Sequence, residues 1–228
     1  MYNGIMSIKS YLSNYKTNFI SKKREQYNLK KRSRLKGQNY SIISRNCVGG
    51  IIYHDLGLKF NSPTINLSMD NEDFLTFLEN LDSFLTKSEM VQIVTPNQQY
   101  PVGQLKFDDK CITLNFVHYK TFEEGRDKWF ERSKRVDLQN VFIIWEFSKE
   151  DGPSSEIWQR FCNIKYKNKI LLTGNKFNVK DRHVLKLSIY GSKYHYGKIL
   201  EYRKGFFLYK RYLDQFNYVD FLNKNFLL

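Results

Sequence analysis

Hydrophobic and polar positions switch between two periods along this chain. Residues 40–44 (YSIIS), 90–94 (MVQIV), 111–117 (CITLNFV), 141–147 (VFIIWEF) and 169–173 (KILLT) are short, apolar and rich in β-branched and aromatic side chains. Each predicts a strand, and residues 64–67 predict one more short strand. Between them the spacing changes to three and four. Residues 70–85 give the clearest helix: Asp70 or Asn71 caps it, acids fill its first turn, and Phe74, Phe77, Leu78, Leu81 and Leu85 share a face. Residues 49–55 predict a short helix ended by Gly57, and residues 121–135 a helix opened by the capping box Thr121-x-x-Glu124. Residues 154–162 predict a helix capped by Ser154. Residues 96–103 read as a loop and Asp151-Gly-Pro as a turn.

Strands alternating with helices of this size imply βαβ units and a mostly parallel sheet with helices on both faces, an α/β fold. Near-continuous apolar strands such as VFIIW fit a sheet covered on both sides. Beyond residue 182 the pattern differs. Residues 184–189 alternate, and residues 209–228 look helical and aromatic, a tail suited to covering a sheet edge. The expected organisation is a basic amphipathic helix over 1–37, an α/β core over 38–182 and a C-terminal extension over 183–228 packed on that core.

Charge changes the picture at the N-terminus. The chain has 228 residues and a net charge of +14. Ten basic residues against one acid, Glu25, give the first 40 residues nine of those charges. Ile5, Ile8, Leu12, Tyr15 and Phe19 form an amphipathic stripe, followed by SKKREQYNLKKRSRLK. Residues 1–36 therefore suit either a helix packed on the body with a solvated basic face or peripheral contact with anionic lipid. No nucleic-acid motif accompanies the charge, which argues against a nucleic-acid partner. No apolar window is long enough to span a membrane, and the first residues lack the pattern of a secretory signal. Three scattered cysteines, 47, 111 and 162, give neither a disulfide framework nor a CxxC zinc motif. A cytoplasmic protein is the expectation, with or without contact at the inner face of the membrane.

In an open parallel sheet, ligands bind beyond the carboxyl ends of the strands. Three such ends carry unusual residues: Ser44-Arg45-Asn46-Cys47 with Gly49 and Gly50; His118-Tyr119; and Glu146 with Ser148 beyond it. The glycine spacing fits neither dinucleotide nor P-loop fingerprints. The bland reading of the first is a tight strand-to-helix turn with Cys47 as a small buried hydrophobe. The chemical reading pairs Ser44 or Cys47 as nucleophile with His118 or His54 as base. Arg132 and Arg135, three apart on one helix, suit a phosphate or carboxylate clamp. No carboxylate spacing indicates a metal.

The stretches SIISRNCVGGIIYHDLGLKFNSPTINL, YPVGQL, FVHYKTFEEGRDKWFERSKRV and NVFIIWEF resemble a bacterial family labelled exopolysaccharide or capsular polysaccharide biosynthesis protein, some members of which are labelled acetyltransferase. The resemblance covers about residues 38–180. It implies a Rossmann-like α/β fold and a role in surface-polysaccharide assembly. The expected substrate is then a carbohydrate, free or lipid-linked. O-acetyl transfer is the favoured reaction, with glycosyl transfer and a non-catalytic sugar- or partner-binding role as alternatives. The donor stays open between an acyl-CoA and a nucleotide sugar. Catalytic candidates are His118, Cys47, Ser44 and His54. Substrate-binding candidates are Asn46, Gly49, Gly50, Tyr119, Tyr100, Arg132 and Arg135.

Overall fold

A computed structural model of the chain describes residues 8–147, 149–189, 197–205 and 208–225, with side chains from residue 17 onward. Ile5, Ser148, the last three residues of the tail and the side chains of Ile8, Leu12 and Tyr15 lie outside the described residues.

In chain order the main elements are α1 (Ile8–Arg32), β1 (Ser41–Ser44), α2 (Val48–Leu56), α3 (Asn71–Glu79), α4 (Leu81–Thr86), β2 (Glu89–Ile93), β3 (Val102–Phe107), β4 (Lys110–Asn115), α5 (Phe122–Ser133), β5 (Val141–Glu146), α6 (Ser155–Asn163), β6 (Asn168–Thr173), β7 (Val184–Lys186) and α7 (Tyr218–Leu222). Strands β1, β5, β6 and β7 pair in that order, all parallel. Strands β2, β3 and β4 form a separate antiparallel sheet.

Alternation along the parallel strands separates two cores. Ile43 of β1, Val141, Ile143 and Trp145 of β5 and Leu171 of β6 point into one, with the aromatic faces of α3, α4 and α5 and the small sheet. Ile42, Phe142, Ile144, Ile170 and Leu172 point into the other, with Val48, Ile52, Tyr53 and Leu56 of α2 and Leu213, Phe216, Tyr218 and Phe221 of the C-terminal segment. Full burial of each large side chain is worth about 1.5–3 kcal/mol, so both faces of the sheet are covered by strong drives. The tail thus packs on the parallel sheet, as a short 3-10 turn and α7 rather than one long helix.

β1 lies at a sheet edge, and side chains occupy its unpaired donors. Tyr53 Oη accepts from Ile42 N at 2.8 Å and donates to Tyr40 O at 2.7 Å. Thr64 Oγ1 accepts from Ser44 N at 3.1 Å. These bonds remove the open edge on which another chain could pair.

Several sequence expectations shift. Residues 70–85 break at Asn80 into α3 and α4. Residues 64–67 are not a strand: Asn66 takes φ +63, and the adjacent Ser68 makes a single bridge to Asn115. The larger correction concerns β2 and β4, which do not join the parallel sheet. Part of the segment 96–103 and the residues after it form β3. A two-residue turn, Asp108-Asp109, then connects β3 to β4 with Phe107 opposite Lys110. So short a connection can only reverse the chain.

Candidate functional site

The carboxyl ends of β1 and β5 are adjacent and meet in a buried polar cluster. Asn46 Nδ2 donates to the Glu146 carboxylate. Arg45 gives Nε to Glu146 O at 3.2 Å and Nη1 to Met69 O at 2.9 Å. Ser44 Oγ donates to Asn46 O at 2.7 Å and accepts from Gly49 N at 3.0 Å, and Asn46 Oδ1 accepts from Val48 N at 3.1 Å. Two of the free N–H groups that open α2 are therefore engaged by this loop's own side chains, which removes them from any anion cradle. Gly49 is needed for packing: a Cβ there would stand 2.6 Å from Ser44 Oγ. Gly50 faces Ile65.

This arrangement corrects the nucleophile expectations. Ser44 is fully buried with its hydroxyl engaged in both directions. Cys47 is half-buried, and burial, with the Glu146 charge adding, pushes its thiol up to about 11. A nucleophilic cysteine needs the opposite shift. His118 is exposed and follows a strand of the small sheet, so it does not stand at the carboxyl edge of the parallel one. Its backbone N–H bonds Asn66 O at 3.3 Å, and no hydrogen bond of its ring joins it to Ser44 or Cys47. The expected Ser44–His118 or Cys47–His118 pair is not formed.

Tyr119, next to His118, does turn inward. Its hydroxyl donates to Ile65 O at 2.9 Å and accepts from Arg132 Nη1 at 2.7 Å. Arg132 is buried, with its guanidinium 5.3 Å from the Phe60 ring centroid. Arg135 bonds Glu131 and Phe60 O. The two arginines converge on Phe60 and tie α5 to the 60–65 segment; the phosphate clamp read from their spacing is a set of internal bonds. Tyr100 lies apart, beside Gln92, Val94, Gln98, Pro101 and Lys120 on the small sheet.

A second polar cluster was not singled out from the sequence. Asp55 of α2 is fully buried, yet it receives Arg24 Nη2, Asn28 Nδ2 at 3.2 Å, Tyr218 Oη at 3.2 Å and Arg211 Nη1 at 2.9 Å to both oxygens. Asp214 receives Arg24 Nη1 and Lys31 Nζ. Burial alone would raise the Asp55 carboxyl; Arg24 and Arg211 outweigh it and hold the group below its usual range. Burial likewise brings Lys31 down to about 8, against the pull of Asp214. Helix α1 thus buries part of its polar side. Arg24, Asn28 and Lys31 are buried, while Phe19 and Leu29, each about half exposed (52% and 53%), share the outer face with Lys22, Lys23 and Lys30. Residues 1–37 therefore supply three buried polar side chains to the domain.

Beside this cluster lies a cavity of about 550 Å³. It is lined by Thr17, Ile20, Ser21, Arg24, Glu25 and Asn28 of α1, by His54 and Asp55, and by Tyr202 and Arg211. His54 presents its ring to solvent, with Nδ1 4.0 Å from Asp55 Oδ1. Its one sequence signal was the His54-Asp55 pair after two glycines; nothing local reveals that Arg24 and Arg211 join it from 31 residues before and 156 residues after. Among the described residues no three His, Cys, Asp or Glu side chains are grouped to hold a metal ion, and no helix is long and apolar enough to cross a membrane.

The sequence match runs through both clusters. A family model described as a domain of unknown function, DUF1919, matches residues 18–223. The chain belongs to this family. The matched region takes in the buried half of α1 and the C-terminal segment as well as the α/β core, in keeping with the ion pairs that unite them. The DUF1919 chain is also 32% identical over 224 residues to a Haemophilus influenzae protein described as an uncharacterized protein, a match covering 97% of this chain and 98% of that one.

Proposed function

We propose that this protein is a transferase of surface-polysaccharide assembly that moves an acyl group onto a hydroxyl of a sugar held at an anionic membrane face. The capsular and exopolysaccharide assignment comes from the sequence resemblance. The observation that carries a catalytic role is His54 on the wall of a cavity large enough for a sugar, with the Asp55 carboxylate behind it. Ser44 and Cys47 are unsuited to an acyl-enzyme, which favours direct transfer. The donor is taken as an acyl thioester such as an acyl-CoA: His54 takes the proton of the sugar hydroxyl as its oxygen bonds the acyl carbon, and the carbon–sulfur bond breaks to release the thiolate. A positioned base of this kind contributes about 10²–10⁴-fold.

The outer face of α1 supports the membrane side of the reading. Phe19 and Leu29 offer apolar contact, and Lys22, Lys23 and Lys30 offer charge. At about 1 kcal/mol per basic residue, three lysines are worth roughly 10²-fold in affinity for anionic vesicles.

The test compares polysaccharide from strains carrying His54→Gln and His118→Gln. Loss of acetyl groups with His54→Gln, and not with His118→Gln, is expected. A changed sugar sequence with normal acetylation would replace acyl by glycosyl transfer. Unaltered polysaccharide from a folded His54→Gln protein would sink the enzyme reading.

A further inference from the structure

Two residues that line the α1–α2 cavity carry buried hydrogen-bonding atoms that the fold leaves without partners. Arg24 directs both Nη atoms at Asp214 and Asp55, but its Nε is buried with no partner among the described residues. One turn on, Asn28 gives Nδ2 to Asp55 while its Oδ1 is equally orphaned. Arg211 commits Nη1 to Asp55, and its guanidinium lies 5.1 Å from the Tyr202 ring centroid. Each unpaired buried polar atom costs about 1–3 kcal/mol, so two such atoms, one donor and one acceptor, beside the Arg211 guanidinium point to a missing partner.

Charge indicates what that partner is. Among the described residues, Arg24, Lys31 and Arg211 pair with Asp55 and Asp214, three positive charges against two negative. Glu25, on the cavity wall, is paired with Arg32. An anion would balance the network, and guanidinium groups reaching it from two separate segments suit the spread oxygens of a phosphate. Asn28 Oδ1 needs a donor, which a phosphate dianion lacks and a neighbouring sugar hydroxyl supplies. The Tyr202 ring, partly exposed, offers an apolar flank.

We infer that this cavity binds a sugar phosphate, with Arg211 and Arg24 on the phosphate and Asn28 on a sugar hydroxyl. The sugar half of the assignment rests on the transferase reading; the phosphate half does not. A sugar phosphate can come free or as the head of a lipid-linked sugar, and both present the same chemistry to these residues.

Proton NMR of the full chain, following imidazole resonances assigned with His54→Gln and His118→Gln, tests this. Glucose 1-phosphate should move the His54 resonances and leave those of His118, and glucose alone should move neither. Arg211→Gln should weaken binding at least tenfold. Because Arg211 also pairs with Asp55, Ser21→Trp provides a second variant: Ser21 is exposed on α1, makes none of these ion pairs, and a Trp there fills the cavity mouth. Equal movement of His54 and His118, no movement at millimolar ligand, or unchanged binding by Ser21→Trp would each overturn the site. Tighter binding of a polyprenyl-phosphate sugar in micelles, weakened by Phe19→Ser, identifies the lipid-carried source; equal affinity identifies the free one. If glucose 1-phosphate binds while His54→Gln leaves the polysaccharide unaltered, the transferase reading fails and the phosphate site stands.

Discussion

Arg24 of α1 and Asp55 of α2 form an ion pair in which the two side chains are 6% and 1% exposed. A charge pair this deep is worth little against an apolar replacement of both members, but removing one member leaves the other stranded, at about 3–5 kcal/mol. The pair therefore ties the basic helix to the rest of the fold.

Asp55→Ala should be the more damaging of the two single changes, because it strands Arg211 and takes one of Arg24's two carboxylates, whereas Arg24→Ala leaves Asp55 with Arg211 and Asp214 with Lys31. We expect losses of about 3 kcal/mol for Arg24→Ala and more for Asp55→Ala, read from urea midpoints at constant slope. Deleting residues 1–36 should abolish the cooperative transition. A shortened chain that unfolds at the parent midpoint would show that α1 is an appendage after all.

Lys31 gives the fold an unusual dependence on alkaline pH. An unfolded lysine titrates near 10.5, while burial brings this one down to about 8. Between those values the unfolded chain holds more protons than the folded one, so stability rises as pH rises from 8 toward 10.5. The gain is at most about 3 kcal/mol. It should be measured below pH 10, since Tyr27, raised to about 12 in the fold by its burial, works in the opposite direction above that. Denaturation at pH 7.5 and pH 9.5 should show the increase in the parent protein and a slight decrease in Lys31→Met, where the raised Cys47 thiol opposes the rise in pH. A parent protein that weakens over this interval would contradict the assignment.

Cys47 should be chemically quiet despite its place at a strand-to-helix turn. With its thiol near 11, only about one molecule in a thousand is thiolate at pH 8. Iodoacetamide followed by mass spectrometry should label the exposed Cys111 and Cys162 first. Cys47→Ser should keep whatever activity the protein has. Preferential labelling of Cys47 would restore it as a nucleophile candidate.

Much of the local structure was legible because it depends on neighbours in sequence. Gly57 ends α2 at φ +65, Thr121 Oγ1 caps α5 by accepting from Glu124 N, Ser154 caps α6 by accepting from Ile157 N, and the apolar run 141–147 forms the strand Val141–Glu146, buried along its length. The Asn46–Glu146 contact was also within reach, since it follows once β1 and β5 are taken as parallel neighbours. The assignment of β2 and β4 to the parallel sheet failed because alternation reports that a strand is half-buried, not which strand it pairs with. The stretch VGQLKF, interrupted by a glycine and a lysine, carried too weak a pattern to reveal the strand that joins them.

The sequence by itself determined the α/β class, the places of most helices and strands, and the concentration of charge in the first 40 residues, since periodicity, capping and composition are local properties. Only the tertiary structure decided that Arg24, Asn28 and Lys31 of the basic helix turn inward, that Ser44 is buried with its hydroxyl engaged in both directions, and that His54 lines a cavity. The reason is physical: whether a charge is solvated or buried depends on which distant residues meet it, and Asp55 meets Arg24 and Arg211 only after the whole chain has closed around it.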